Sequence, residues 1–251
     1  MFDTRWPRWP RSDCKPVKAP AVLKQTIISA AVLVAFAAAT AHAGKIEKPL
    51  GVVELFTSQG CSSCPPADKA AATLADDGDV IVLSYHVDYW NYLGWTDTMS
   101  SPENTKRQYD YSAAMGRSGV YTPQAVVNGR AEMVGTSLDK LRATLTDLKS
   151  DDKGLTVPVS LRKSGDEVII DIGSGKGKAD VLVVYFKSRE QVAIKDGENE
   201  GRTIDYRNIV TDVQTVGMWH GEATKVTLPA RVLEPRESDG CAILLQATDA
   251  D

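Results

Sequence analysis

One stretch of this 251-residue chain indicates its fold most clearly: Gly51-Val-Val-Glu-Leu-Phe-Thr-Ser-Gln-Gly-Cys61-Ser-Ser-Cys64-Pro65-Pro66. Its first six residues are mostly apolar, which is typical of a short buried strand. A polar loop leads to the two cysteines, and the prolines that follow are tolerated in a first helical turn, where amide hydrogens lack partners anyway. The Ala-rich residues 67–77 and the terminating Gly78 complete a helix. We therefore predict a strand followed by a helix that begins at the cysteine pair.

The residues after this helix alternate between strand and helix patterns. Residues 80–87 form an apolar run, which predicts a central strand parallel to the first, joined to it by a right-handed crossover. Ser101 and Pro102 are typical of a helix start. Asn128-Gly129 predicts a hairpin turn, and a final amphipathic helix is indicated by Leu138, Leu141, Leu145 and Leu148. The predicted class is α/β, with the order β-α-β-α-β-β-α.

The second half of the chain has a different pattern of predicted secondary structure. Residues 150–154 are polar, end in glycine, and mark a boundary. About six strand patterns follow with no helix between them, which favours a small all-β, sandwich-like unit. We therefore predict a first domain over residues 44–150 and a β-rich domain over residues 155–251.

The N-terminus has the pattern of a secretory signal. Residues 27–39 form an apolar run, three lysines precede it, and Ala41-His42-Ala43 follows. These features predict a signal peptide over residues 1–43, cleaved after Ala43, and hence a periplasmic or secreted protein without stable membrane insertion. A short membrane anchor is the alternative.

Composition narrows the classes of partner. The formal net charge is -4, and no Lys/Arg-rich stripe is present, so we expect no nucleic-acid partner. We also expect no cofactor. The sequence does not indicate an oligomeric state.

The pair Cys61 and Cys64 is the main candidate for chemistry. A Cys-x-x-Cys pattern is typical of a redox pair, a structural disulfide or half of a zinc site. The zinc interpretation is weakened because no second such pattern or paired-histidine motif is present. A helix start lowers the pKa of a thiol, so we expect Cys61 to be the exposed, attacking thiol and Cys64 the resolving thiol.

The element order, with a cysteine pair at the first helix and a proline before the hairpin, resembles the thioredoxin superfamily. That resemblance implies a cis peptide bond at Thr122-Pro123, facing the cysteines and pairing with an extended substrate. A trans proline at a strand start is the alternative. More closely, the chain resembles a secreted bacterial thioredoxin-like family catalogued as domain of unknown function family 1223. This second resemblance rests on residues 55–66, 86–90, 94–95 and 121–124, and continues through 197–199 and 201–203.

The thioredoxin resemblance also implies a buried acid on the first strand that deprotonates the resolving cysteine. Glu54 is the nearest match, although it lies one residue further from Cys61 than the usual spacing. Burial would raise the pKa of its carboxyl, which suits a proton acceptor. The alternative is that Glu54 points elsewhere and pairs with a lysine.

Further candidates lie near the end of the second strand, where ligand crevices form in open α/β sheets. His86 could tune the thiolate, join Cys61 and Cys64 in a metal site, or cap its strand through a backbone hydrogen bond. Asp88, Trp90 and Tyr121 are candidate substrate-binding residues, and the aromatic loop around Trp90 could instead pack on the second domain.

Cys241 is the third cysteine of the chain that remains after signal cleavage. It is either a buried apolar residue or a further redox or metal partner for the pair.

Together these patterns favour a thiol–disulfide oxidoreductase that acts on protein or peptide thiols and disulfides. A binding module with a permanent disulfide is the second hypothesis. A copper(I) carrier that uses Cys61, Cys64 and His86 is the third, because soft thiolates suit that ion.

Overall fold

The computed structural model describes residues 48–233 and 238–248. The predicted signal peptide, residues 1–43, lies outside the described residues. The fold is mixed α/β, which confirms the predicted class. In chain order the elements are β1 (Gly51–Thr57), α1 (Pro65–Asp77), β2 (Val80–His86), α2 (Pro102–Ala114), β3 (Gln124–Val127), β4 (Ala131–Val134), α3 (Leu138–Ser150), β5 (Val159–Ser164), β6 (Glu167–Ile172), β7 (Ala179–Ala193), β8 (Thr203–Trp219), β9 (Thr224–Pro229), a short 3-10 helix (Ala230–Leu233) and β10 (Gly240–Ala247).

Local sequence signals explain where the helices begin and end. Ser101 caps α2 by accepting a hydrogen bond from the amide of Asn104, and Ser137 caps α3 by accepting one from Lys140. At the other end of α1, Gly78 adopts a left-handed conformation with φ of 77°, which glycine reaches without steric cost. None of the helices in the described part of the chain is long and apolar enough to cross a membrane.

β1 is a central strand of a seven-stranded sheet, whose order is β10-β7-β8-β2-β1-β3-β4. It pairs with β2 in parallel, as predicted, and with β3 in antiparallel. Successive side chains of a strand point to opposite faces. Val53 and Leu55 accordingly pack in one core cluster with residues of α1 and α3, whereas Val52 and Phe56 pack in another on the opposite face.

The second half of the chain does not form the separate sandwich that its strand patterns suggested. β7, β8 and β10 extend the sheet of the first half, with Ser84 on β2 beside Ile209 on β8. Leu182 and Val210 also pack in the same cluster as Phe56. β5, β6 and β9 form a three-stranded sheet of their own. The difference arises because alternating hydrophobicity indicates a strand but not its pairing partner.

β7 and β8 are long strands that form an extended hairpin. Their pairing runs from Ala179 beside Trp219 to Ala193 beside Thr203. The loop that joins them covers residues 194–202 and lies well beyond the end of β10, because β10 pairs only with the first part of β7. We call this loop together with the first residue of β8, residues 194–203, the hairpin tip.

Candidate functional site

Cys61 and Cys64 form a disulfide at the start of α1. Their Cα atoms are 5.4 Å apart, and Cys64 is the residue that caps the helix. The carbonyl oxygen of Cys64 accepts hydrogen bonds from the amides of Ala67 and Asp68 at 2.8 and 3.1 Å. The cysteine pair therefore lies at the helix N-terminus, as the sequence predicted.

The disulfide is closed off from solvent. Cys61 and Cys64 are both 0% exposed, whereas the two serines between them are exposed. The expectation that Cys61 is the exposed cysteine is therefore wrong for this disulfide-bonded state. The loop before the pair also packs closely on Trp90, since a Cβ built on Gly60 would be 3.2 Å from the Trp90 Cβ.

The Thr122-Pro123 peptide bond is cis, which confirms that prediction. The Trp90 indole nitrogen donates a hydrogen bond to the Thr122 hydroxyl at 2.7 Å. Trp90 therefore contacts both the loop that carries Cys61 and the loop that carries Pro123. Of the three proposed substrate-binding residues, Trp90 is the one that the structure ties to both loops.

Asp88 and Tyr121 have partners within the fold. The carboxylate of Asp88 accepts a hydrogen bond from Thr105 on α2 at 2.6 Å. The hydroxyl of Tyr121 donates to the carboxylate of Glu132, and burial, together with Glu132, raises the pKa of this phenol. These contacts give both side chains a structural role, and their part in substrate binding stays a prediction.

The side chain of Glu54 is bonded to α2 and not to the cysteine pair. Its carboxylate accepts hydrogen bonds from the Arg107 guanidinium at 2.6 Å and from the Tyr111 hydroxyl, both on α2. It shares its strand face with Val52 and Phe56, opposite the face on which α1 packs. The proton-acceptor interpretation of Glu54 is therefore wrong, and its ion pair is with an arginine rather than the lysine of the alternative.

A different buried acid lies beside the disulfide. Asp68 is on α1, one helical turn after Cys64, and its carboxylate accepts a hydrogen bond from the Thr57 hydroxyl at 2.7 Å. Burial raises the pKa of Asp68 to about 7, against the opposing effects of Thr57 and of the nearby His86. The sequence carried a signal that could have found it. Cys64 and Asp68 fall at i and i+4, which is the spacing of neighbours on one helix face.

His86 forms a buried ion pair with Asp97, at 2.7 Å between Nδ1 and a carboxylate oxygen. Burial is the largest single effect on the pKa of His86 and lowers it, but the charge and hydrogen bond of Asp97, together with the charge of Asp68, outweigh burial and raise this pKa. The pairing with His86 and the backbone hydrogen bonds from Gln59 and Met99 lower the pKa of Asp97, although burial opposes this. The same Asp97 oxygen accepts the amide hydrogen of Gln59 at 2.8 Å, two residues before Cys61. The Nδ1 atom of His86 thus bonds a carboxylate, and not a backbone group as the capping alternative required.

Three buried polar atoms remain beside this pair. The second carboxylate oxygen of Asp68, Nε2 of His86 and the hydroxyl of Tyr206 have no hydrogen-bond partner among the described residues. The Tyr206 ring lies edge-on to the imidazole, with 4.6 Å between the ring centres. The electrostatic influence of Asp68 reaches both His86 and Tyr206, so these groups form one buried, electrostatically coupled cluster, in which burial keeps the Tyr206 phenol protonated by raising its pKa.

The hairpin tip contributes Asn199, which the sequence did not single out as a site residue. Its amide nitrogen donates hydrogen bonds to the carbonyl oxygens of Gln59 and Cys61, both at 2.9 Å. The Gln59 side chain in turn accepts a hydrogen bond from the Trp95 indole at 2.8 Å. Trp95 packs with the buried Ile194 and Ile204. The aromatic loop therefore packs against the hairpin tip and is part of the wall around the disulfide.

Metal binding gains no support from this arrangement. Over residues 48–233 and 238–248, no group of three His, Cys, Asp or Glu side chains is placed to hold an ion. Cys241 is also remote from the pair, because β7, β8 and β2 separate its strand β10 from β1. It is a half-buried free thiol beside Tyr185, and burial raises its pKa.

Comparison with known proteins places these features in a family. A crystal structure of protein AGR_C_4864 from Agrobacterium tumefaciens is 53% identical in sequence, with a TM-score of 0.74 over 81% of this chain and 89% of that chain. HBP35 of Porphyromonas gingivalis is 14% identical, with a TM-score of 0.49 over 73% of this chain and 64% of its own. No curated protein matches the chain. The family described as "Protein of unknown function (DUF1223)" matches residues 52–246, and the chain belongs to it.

Proposed function

We propose that this protein is an exported, thioredoxin-like thiol–disulfide oxidoreductase that uses Cys61 and Cys64 on protein substrates. The observation that supports this most is the disulfide at the start of α1 with the buried carboxyl of Asp68 one turn further on. An acid buried in the core is costly, and strongly shifted acids of this kind concentrate at sites that move protons.

The proposed chemistry is a two-step exchange. A substrate thiolate attacks Sγ of Cys61, the Cys61–Cys64 bond breaks, and its electron pair goes to Cys64. Asp68, whose pKa of about 7 leaves it partly protonated at neutral pH, supplies a proton to the leaving Cys64. A second substrate thiolate then attacks the mixed disulfide, so the substrate leaves oxidised and the protein holds two thiols. Reduction of a substrate disulfide is the same sequence in reverse.

The remaining predictions are part of the same proposal. The order β1-α1-β2 followed by α2, β3, β4 and α3 supports a thioredoxin-like topology for residues 44–150. A signal over residues 1–43 would deliver the protein to the periplasm or the exterior, where disulfides persist. The β-rich residues 155–251 would then supply part of the wall around the site, through Asn199.

A binding module with a permanent disulfide is the second candidate. It is favoured by one observation, the complete burial of both sulfur atoms. A disulfide that no reductant reaches acts as a structural bridge, and the exposed surface would then carry the function.

A redox titration separates these two functions. Protein spanning residues 44–251 with Cys241→Ser is equilibrated in glutathione buffers, and its free thiols are trapped by alkylation. A potential of about -270 to -120 mV supports the oxidoreductase. A potential below about -300 mV, or no exchange at all, supports the binding module.

A further inference from the structure

The burial of the disulfide creates a problem of access. Thiol–disulfide exchange requires the attacking sulfur to reach one of the two disulfide sulfurs directly. Neither Cys61 nor Cys64 has exposed surface, although Ser62 and Ser63 between them are exposed. If the proposed exchange takes place, some part of the surrounding wall must first move.

Asn199 is the most specific connection between that wall and the cysteine loop. It is 1% exposed, and it donates to two carbonyl groups of one loop, Gln59 and Cys61, across 140 and 138 residues of sequence. Arg202 fixes its orientation by donating to the other end of the same amide at 3.1 Å. Among the described contacts, Asn199 is the only side chain of the second half that hydrogen-bonds a cysteine of the pair.

The hairpin tip is a self-contained turn with little buried apolar surface of its own. Its own backbone closes on itself, because the amide of Ile194 donates to Arg202 and the amide of Gly201 donates to Ile194, both at 2.9 Å. Within residues 194–203, Ile194 and Asn199 are the buried members, and the others are exposed or half-buried. Because few apolar groups are buried, displacing the tip costs far less than unfolding the sheet.

We propose that Asn199 is a positioning residue that holds the hairpin tip closed over the Cys61–Cys64 disulfide, and that release of its two hydrogen bonds admits the attacking thiol. This rests on the proposed exchange function. When the tip is closed, the carbonyls of Gln59 and Cys61 are occupied and Cys61 is buried. When it opens, water satisfies those carbonyls, and Sγ of Cys61 becomes accessible. Asn199 thus controls which thiols reach the disulfide, without touching the reacting sulfur atoms.

The test removes the two donors while keeping the shape of the side chain. Asn199→Asp is isosteric but cannot donate, so the closed state leaves two carbonyl groups facing a carboxylate. We expect reduction of Asn199→Asp by dithiothreitol to be about tenfold faster than in the natural protein. Asn199→Ala removes the donors without adding a charge. In this variant reduction and reoxidation should accelerate by the same factor, with the equilibrium constant against glutathione unchanged.

Asn208 offers a matched control. Its amide also donates to a buried-strand carbonyl, that of Val82 at 2.9 Å, and it also lies on the β7–β8 hairpin, but it does not contact the cysteine loop. Asn208→Asp should lower stability without accelerating reduction. Equal acceleration in both variants would show general loosening and overturn the proposal, as would a natural rate in Asn199→Asp and Asn199→Ala.

A second measurement needs no variant. The rate of disulfide reduction in the natural protein is followed at urea concentrations below the unfolding transition. Local opening of the tip exposes little surface, so this rate should rise only weakly with urea. A rise as steep as the equilibrium unfolding curve would mean that reduction requires global unfolding, and would overturn the proposed role of Asn199. This role and the exchange function fail separately, because a disulfide that glutathione does not reduce at equilibrium removes the function without changing these rates.

Discussion

Asp68 donates its backbone amide hydrogen to the carbonyl oxygen of Cys64 at 3.1 Å, so it follows Cys64 by one helical turn and its carboxyl is buried. Burial is the main cause of its raised pKa, and the groups that adjust it are Thr57 on β1, His86 on β2 and Asp97 in the loop after β2. The pKa of about 7 is therefore a property of the packing around Asp68 and not of the helix alone.

Asp68→Asn tests the proton-donor role. At a constant concentration of reductant thiolate, reduction of the natural protein should slow as pH rises through about 7, because deprotonated Asp68 has no proton for Cys64. In Asp68→Asn the rate should lose this inflection and fall by about a hundredfold at pH 6. The control is Asp88→Asn, whose carboxyl bonds Thr105 on α2 and should leave the profile unchanged. An inflection near 7 that persists in Asp68→Asn would exclude Asp68.

The same substitution predicts a pH-dependent change in stability. The pKa of Asp68 is 3.8 when unfolded and about 7 when folded, so the folded state binds the extra proton between these values. Folding is therefore favoured below pH 4, and this contribution is lost as pH rises through 7. Relative to the natural protein, Asp68→Asn should gain up to about 4 kcal/mol between pH 4 and pH 8.

Urea unfolding of both proteins at pH 4 and pH 8 measures this gain. Groups that Asp68 does not influence titrate equally in both proteins and cancel in the difference. A difference in unfolding free energy that stays constant with pH would contradict the raised pKa of Asp68.

Glu54→Gln is expected to destabilise the fold and to leave the redox potential of the cysteine pair unchanged. The substitution leaves the Arg107 guanidinium buried without its counter-charge, which costs about 3–5 kcal/mol. Glu54 faces α2, whereas Cys64 is on α1, so the redox potential should not change. Urea unfolding and a glutathione titration of the same sample give both quantities. A shifted potential with unchanged stability would restore Glu54 as a partner of the cysteines.

Cys241→Ser should leave the rate of disulfide reduction unchanged. The redox potential should also stay the same, which means that the equilibrium constant of the Cys61–Cys64 pair changes by less than about twofold. The reason is topological, because β7, β8 and β2 lie between β10 and β1. Stopped-flow reduction of the variant and of the natural protein checks this. A rate that drops in the serine variant would mean that Cys241 takes part in exchange.

The sequence was sufficient for features determined by neighbouring residues. The start of α1 at the cysteine pair follows from Pro65 and Pro66. The Asn128-Gly129 turn, with φ of 52° and 65°, follows from the tolerance of these residues for positive φ. The parallel pairing of β1 with β2 follows from the strand–helix–strand order.

Features determined by distant residues could not be predicted in this way. The face on which Glu54 lies depends on strand register, and a shift of one residue reverses it. The addition of β8 to β2 and the bonds of Asn199 join residues more than 100 positions apart, and no local pattern encodes them. The burial of Cys61 also depends on the packing of the folded chain, so a local argument from the helix start predicted exposure.

The central claim is that Cys61 and Cys64 exchange with a substrate, and trapping a mixed disulfide tests it most directly. The variant combines Cys64→Ser with Cys241→Ser, which leaves Cys61 as the single thiol of residues 44–251, and it is incubated with oxidised glutathione. The account predicts a stable adduct on Cys61, located by peptide mass spectrometry, and its rapid release by added dithiol. A variant that stays unmodified while folded, and reacts only after denaturation, would contradict it.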